Sequence, residues 1–246
     1  MKKSKIEWTE ATWNPSIGCS KISAGCQNCY AEKMANRLKA MRLEAYCDGF
    51  KFKILPERLE QPLKTKRPTR FFVNSMSDLF HEEMPHEFLD SIFNIIEQTP
   101  QHTYQILTKR EKIMSDYFKN RKIPDNVWLG VTVEDKKTKF RIDYLRELTA
   151  KIKFISIEPL LEDLDTLDLT GIDWIIVGGE SGPNARPMKE EWILNIKEQC
   201  NNQNSAFFFK QWGSWGSDGK KRSKKKNGRI LKGKIFDEYP SMTKTA

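Results

Sequence analysis

Seven short apolar runs, most of them followed by a helical pattern, constrain this chain more than any other feature. They fall at residues 11–14, 70–74, 103–107, 127–133, 153–157, 172–177 and 206–209, and each ends in small, polar or acidic residues. Helical spacing of apolar residues follows at 30–42, 85–97, 111–120, 137–148 and 190–200. Short apolar strands alternating with helices imply right-handed βαβ units and a parallel sheet. The expected fold is therefore α/β, a parallel partial or irregular TIM-type barrel of about six to seven strands. It is irregular because the crossover at 160–171 (LLEDLDTLDLTG) is too short and acidic for a full helix. Residues 43–70 hold Pro56, Pro62 and Pro68 and read as a connector.

With 246 residues and 38% hydrophobic composition, one large core is within reach. The expected division is a barrel domain over 1–217 and a basic extension over 218–246. The formal charge of +9 is concentrated in residues 220–234, which carry nine Lys or Arg and no acid. Such a block is an electrostatic footprint for phosphate, and the solvated tail is its plain alternative. No apolar run reaches the length of a membrane span, and MKKSKIEWTE has no signal-peptide core, so the expectation is a cytoplasmic protein without a membrane partner.

Three of the five cysteines, Cys19, Cys26 and Cys29, lie within WNPSIGCSKISAGCQNCYAE. Reduced thiols clustered in this way point to a metal rather than to a disulfide framework. Structural zinc usually takes four protein ligands, with Cys47 or His81 available as the fourth; a 4Fe-4S cluster on three cysteines leaves one iron open. An open iron can bind S-adenosylmethionine and pass it an electron, so that the cofactor supplies radical chemistry. Cys47 and Cys200 stand apart and read as packed thiols, and His81 and His86 as surface histidines.

In a parallel barrel the functional groups collect at the carboxyl ends of the strands. Glu158 directly follows an apolar strand, where an acid is costly unless it binds something, and it joins Lys109 as a candidate catalytic residue. Ser75, Asp78, Thr132, Glu134 and Glu158, with Gly178 and Gly179 for close backbone approach, are the candidate cofactor-binding residues. Lys109, Arg110, Arg186 and Lys210 suit an anionic substrate or a cofactor carboxylate. Trp212 and Trp215, beside the basic block, can stack a base or simply close the barrel.

Taken together, the cysteine segment with FFVNSMSDLF, ILTKR, WLGVTVED, SIEPLL, WIIVGGESGPNARPM and FFFKQWGSWG resembles the phage- and prophage-associated three-cysteine-motif proteins, a domain of unknown function considered radical-SAM-like. The resemblance implies a radical-SAM-type barrel, Cys19, Cys26 and Cys29 as cluster ligands, and a mobile-element context. Two departures stand out: C-x6-C-x2-C replaces the usual C-x3-C-x2-C, and NSMSD replaces the usual GGE after the second strand. The leading expectation is a radical SAM enzyme that takes electrons from an external donor, forms a 5′-deoxyadenosyl radical and modifies or repairs a nucleic-acid base or nucleotide. A zinc-containing nucleic-acid-binding protein without catalysis, and a radical enzyme acting on a peptide or partner protein, remain open alternatives.

Overall fold

The computed structural model describes residue 4 and residues 6–241. Nine strands and six α-helices are assigned among them: β1 (Ala11–Trp13), β2 (Ser16–Ile17), α1 (Tyr30–Ala40), β3 (Lys53–Ile54), β4 (Arg70–Val73), α2 (His86–Gln98), β5 (Thr103–Thr108), α3 (Glu111–Phe118), β6 (Val127–Thr132), α4 (Arg141–Arg146), β7 (Ile152–Ile157), β8 (Trp174–Gly178), α5 (Glu190–Asn202), β9 (Ala206–Gln211) and α6 (Lys224–Asn227). The seven-stranded sheet runs β1-β4-β5-β6-β7-β8-β9, in chain order. This bears out the expected α/β class. The seven apolar runs are its seven strands, with boundaries shifted by three residues or fewer.

The chain divides into two compact units. Unit 1 comprises Met1–Ile22, Cys29–Leu129 and Leu148–Lys151. Its strands β1, β4 and β5 pair in parallel, with Ala11 opposite Phe71 and Phe71 opposite Tyr104. Helix α2 presents Leu89, Ile92, Phe93 and Ile96, and α3 presents Met114 and Phe118, all buried. Thr99 and Tyr104 share a buried hydroxyl contact of 2.6 Å, and burial pushes the Tyr104 phenol up to about 12.

The proline-rich connector proves to be a brace. Strand β3 pairs antiparallel with β2, so that Ser16 faces Ile54 and Ile17 faces Lys53. The Leu55 N–H donates to the Pro15 carbonyl at 2.7 Å, and the Cys19 N–H to the Phe50 carbonyl at 3.1 Å.

Unit 2 comprises Ser23–Asn28, Gly130–Glu147 and Ile152–Ala246. Strands β7, β8 and β9 pair in parallel and are almost wholly buried, as strands covered on both faces must be. Helix α4 is shorter than the sequence pattern. Asp135 and Thr138 form a reciprocal capping box around a 3-10 turn, which uses up the first residues of the expected helix. Residues 160–171 carry no helix, as their composition indicated.

Cys200, on α5, is fully buried, and burial pushes its thiol up to about 12. Cys47 is exposed instead of packed, because it lies in the turn after a 3-10 segment with Asp48 beside it.

Past β9 the chain folds back on unit 2. The Phe209 N–H donates to the Phe236 carbonyl at 2.9 Å, Leu231 is fully buried, and the Trp174 indole N–H donates to the Glu238 carbonyl at 2.8 Å. Residues 242–246 of the basic extension lie outside the described residues. Among the described residues no helix is long and apolar enough to cross a membrane.

Trp174 thus ties the returning segment to the sheet while packing against Phe154, Phe208 and Tyr239. Trp174→Phe is expected to lower stability by about 2 kcal/mol through lost packing and the lost indole bond. Limited proteolysis should then release the segment after residue 229 faster than it cuts β7 to β9.

Candidate metal centre

The cysteine loop leaves β2 through Gly18, whose φ is +77°. Its first part belongs to unit 1. The Gly18 N–H donates to the Met76 carbonyl at 2.9 Å, and Ser77 Oγ returns a bond to the Gly18 carbonyl at 2.7 Å. The candidate cofactor residue Ser75 donates its hydroxyl to Asn14 Oδ1 at 3.1 Å, and its carbonyl accepts from the Tyr30 hydroxyl. The NSMSD turn and the cysteine segment therefore hold each other through these bonds, one main-chain and three that use side-chain oxygens.

Beyond that turn sits a buried guanidinium. Arg110 donates through Nη1 to Cys19 Sγ at 3.4 Å and to Asp78 Oδ2 at 3.2 Å, and through Nη2 to Ser20 Oγ at 2.7 Å and the Ser20 carbonyl at 3.3 Å. Its Nε lies 3.0 Å from Glu82 Oε1. Burial alone would lower its pKa, but Asp78, Cys19 and Glu82 outweigh that and raise it, so it stays charged. Asp78 also accepts from Thr108 Oγ1 at 2.7 Å and from the N–H groups of Lys109 and Phe80, each at 3.0 Å. Lys109 contributes its backbone to this node, and its side chain is half-buried.

His81 is buried, contrary to the surface position expected for it. Its ring stacks on Phe52 with centroids 4.3 Å apart, Nδ1 accepts from the Glu83 N–H at 3.2 Å, and Nε2 lies 3.3 Å from Ser20 Oγ. Burial and the neighbouring Arg110 hold its imidazole below the ordinary histidine value. Cys29 is the residue just before α1, whose apolar face packs with Ile17, Tyr46 and Met76.

Residues 23–28 belong to unit 2 and are held by two carboxylates there. Glu134 is fully buried; it accepts from Arg141 Nη1 at 2.7 Å and from the Ser23 hydroxyl, while Ser23 Oγ lies 3.6 Å from Cys26 Sγ. Arg141 Nη1 also donates to the carbonyl of Thr132, at the end of β6. A Cβ at Gly25 would collide with the Glu134 side chain, so this turn closes over the carboxylate only with glycine.

Glu180 is clamped by Arg186, with Nη2 at 2.6 Å, Nε at 3.0 Å and the backbone N–H at 2.8 Å, and accepts from Asn28 Nδ2 at 3.0 Å. Arg186 Nη2 also reaches the Ala24 carbonyl at 3.0 Å. Glu158 pairs with Lys210 at 3.0 Å and accepts from Ser156 Oγ at 3.1 Å, against the face of Gly178. The Gly179 N–H donates to the Gln211 carbonyl at 2.9 Å. Trp212 is buried with its indole on the Ile230 carbonyl, whereas the half-buried Trp215 donates to the Ala185 carbonyl and has Lys221 Nζ 5.5 Å from its ring.

Sequence reasoning placed Glu134 and Arg186 at strand ends or the loops beyond them but missed Ser23 and Glu180 as their partners, and Asn28 as a further donor to Glu180. A signal was present in the Glu of GGESG, an acid between glycines six residues before an arginine.

Among the described residues no group of three or more His, Cys, Asp or Glu side chains is gathered to hold a single metal ion. A cube spreads its thiolates over separate iron corners instead of drawing them to one point. Three cysteines on eleven residues, none in a disulfide and all half-exposed, with a fixed guanidinium on one of them, are a donor set that fits an iron–sulfur cluster.

The chain is similar in fold to solved structures of spore photoproduct lyase. One variant of spore photoproduct lyase aligns with TM-score 0.55 at 12% identity, covering 85% of this chain and 78% of that one. A second variant aligns with TM-score 0.51 at 10% identity, covering 86% and 78%. The same lyase complexed with dinucleoside spore photoproduct aligns with TM-score 0.47, and there this chain spans 64% of the other's length. A search of curated proteins gave no match.

The fold is thus the α/β arrangement found in spore photoproduct lyase. Within that class the chain belongs to the family of proteins of unknown function DUF5131, whose model matches residues 3–240.

The hydrogen bonds from Arg186 and Asn28 hold the Glu180 carboxyl below its ordinary value of 4.5, against a burial that would raise it. Its stabilising contribution is complete above that value and is lost as pH falls through the lower folded one. Glu180→Gln is expected to cost about 2 kcal/mol at pH 7, a difference that shrinks below pH 4.5 in denaturation midpoints measured across the acid range.

Proposed function

We propose that this chain is a radical SAM enzyme whose Cys19, Cys26 and Cys29 hold a 4Fe-4S cluster, with a nucleic-acid base or nucleotide as its substrate. The carrying observation is the three-thiol loop, each part of which is secured by buried or half-buried ion pairs within its own unit. When bound, such a cluster with S-adenosylmethionine supplies an electron and, from it, a carbon-centred radical. The protein's own residues do the rest. Arg110 and Glu134 hold the loop, Ser75, Thr132, Gly178 and Gly179 offer polar or open backbone positions to the cofactor, and Glu158 with Lys210 forms a half-buried ion pair suited to a zwitterionic amino-acid group. Asp78 acts through Arg110, and Lys109 stands next to it as the candidate contact to an anionic substrate.

The nucleic-acid class rests on charge. Within residues 220–234, Lys220, Lys225, Lys226 and Lys234 are exposed, and Trp215 beside them can stack a base. The mobile-element context implied by the resemblance, a cytoplasmic location and an external electron donor belong to the same reading.

Anaerobic reconstitution with iron and sulfide, then dithionite and S-adenosylmethionine, tests it. The expected outcome is a brown protein that releases 5′-deoxyadenosine and methionine, with each of Cys19→Ser, Cys26→Ser and Cys29→Ser losing at least tenfold of that activity. One zinc per chain with no sulfide would instead establish the zinc-protein alternative. Short single-stranded DNA and RNA should bind with an affinity that falls steeply as salt rises, and a flat salt dependence would remove the phosphate contact.

A further inference from the structure

Arg110 is a heavily engaged cation of unit 1. Its side chain is 4% exposed, yet it faces two carboxylates, a thiol and a serine at once. Asp78 is fixed by three further donors, from Thr108, Lys109 and Phe80. The Arg110 N–H is itself bound to Thr108 Oγ1 at 2.8 Å. A guanidinium locked at both backbone and side chain keeps its position when the charge beside it changes. Loop anchoring alone would be met by the bonds to Ser20; the contact to Cys19 Sγ is additional.

We infer that Arg110 is a positioning residue that sets the reduction potential of the group held by Cys19, favouring its reduced state. The inference rests on the radical SAM reading above. Reduction adds one electron to a cluster already carrying thiolate charge, and no proton moves because Arg110 is charged in both states. A fixed cation hydrogen-bonded to a ligand sulfur stabilises the more negative state, and hydrogen bonds and net charge at the sulfurs are established determinants of such potentials. The balance is adjustable. Asp78 is buried and offsets part of the guanidinium charge, and Glu82 is half-exposed and offsets another part.

Two substitutions therefore act in opposite directions. Arg110→Gln removes the cation and is expected to lower the midpoint potential, cutting the ratio of reduced to oxidised cluster at a fixed poise about tenfold, which is ~59 mV for one electron. Glu82→Gln removes an exposed counter-charge and is expected to raise the potential by a smaller amount, without loss of iron. The measurement is a redox titration followed by electron paramagnetic resonance on reconstituted wild type, Arg110→Gln, Arg110→Lys and Glu82→Gln, each with iron and sulfide content determined.

A role confined to loop packing predicts lower cluster content with unchanged potential in the remainder, and that result would overturn the inference. So would equal potentials in wild type and Glu82→Gln, a comparison that holds even where Arg110→Gln fails to fold. A wild type that takes up no iron and sulfide overturns the cluster reading itself, and this inference with it; unshifted potentials in a cluster-bearing protein overturn this inference alone.

Discussion

A charge removed from water must be answered by an opposite charge close at hand, and at the ends of these strands that requirement shapes everything nearby. Glu134 illustrates it. With none of its side chain exposed, it is satisfied by Arg141 on one oxygen and Ser23 on the other. The serine is there because the cysteine loop passes over the carboxylate, and the loop passes there because Gly25 presents no side chain. Breaking such a pair strands a charge in the interior, which costs more than the pair itself contributes. The path of residues 23–26 is thereby tied to the end of β6.

The same logic recurs with different residues. Glu180 holds Arg186, which reaches the Ala24 carbonyl, and Asp78 holds Arg110, which reaches Ser20 and Cys19. In each case a strand-end acid orients an arginine, and the arginine grips main chain of the cysteine loop. Arginine suits this task because its planar fork can serve a carboxylate and a carbonyl simultaneously, where lysine presents a single point charge. The loop is rich in Gly, Ser and Asn and has little apolar surface of its own, so external donors supply the order that packing supplies elsewhere.

The strands were legible because burial on both faces leaves an uninterrupted apolar run, as in IDWIIV and KFISI. Their polar ends were legible for the same reason, since an acid such as Glu158 stands out against such a run. Pairings were not. Ser23 and Glu134 are separated by 111 residues and Asn28 and Glu180 by 152, and no local pattern reports a contact at that range. His81, read as a surface histidine, is drawn inside by stacking on Phe52 and the serine contact. Strands β2 and β3, two residues each, are too short to carry periodicity, so the proline-bearing stretch read only as a connector. Helix α4 fell short of its apolar pattern because local capping chemistry at Asp135 and Thr138 took precedence.

The brace from residues 50–55 holds the loop entrance through carbonyl and amide groups, with Phe50 and Leu55 bonding Cys19 and Pro15 by main chain alone. Every amino acid but proline offers the same amide, so these two bonds set the course of the backbone, while the side chains answer to packing, Leu55 and Phe50 in the cluster around Ile17 and Phe52 on His81. A shortened or lengthened connector would shift both bonds at once and so misplace the mouth of the loop.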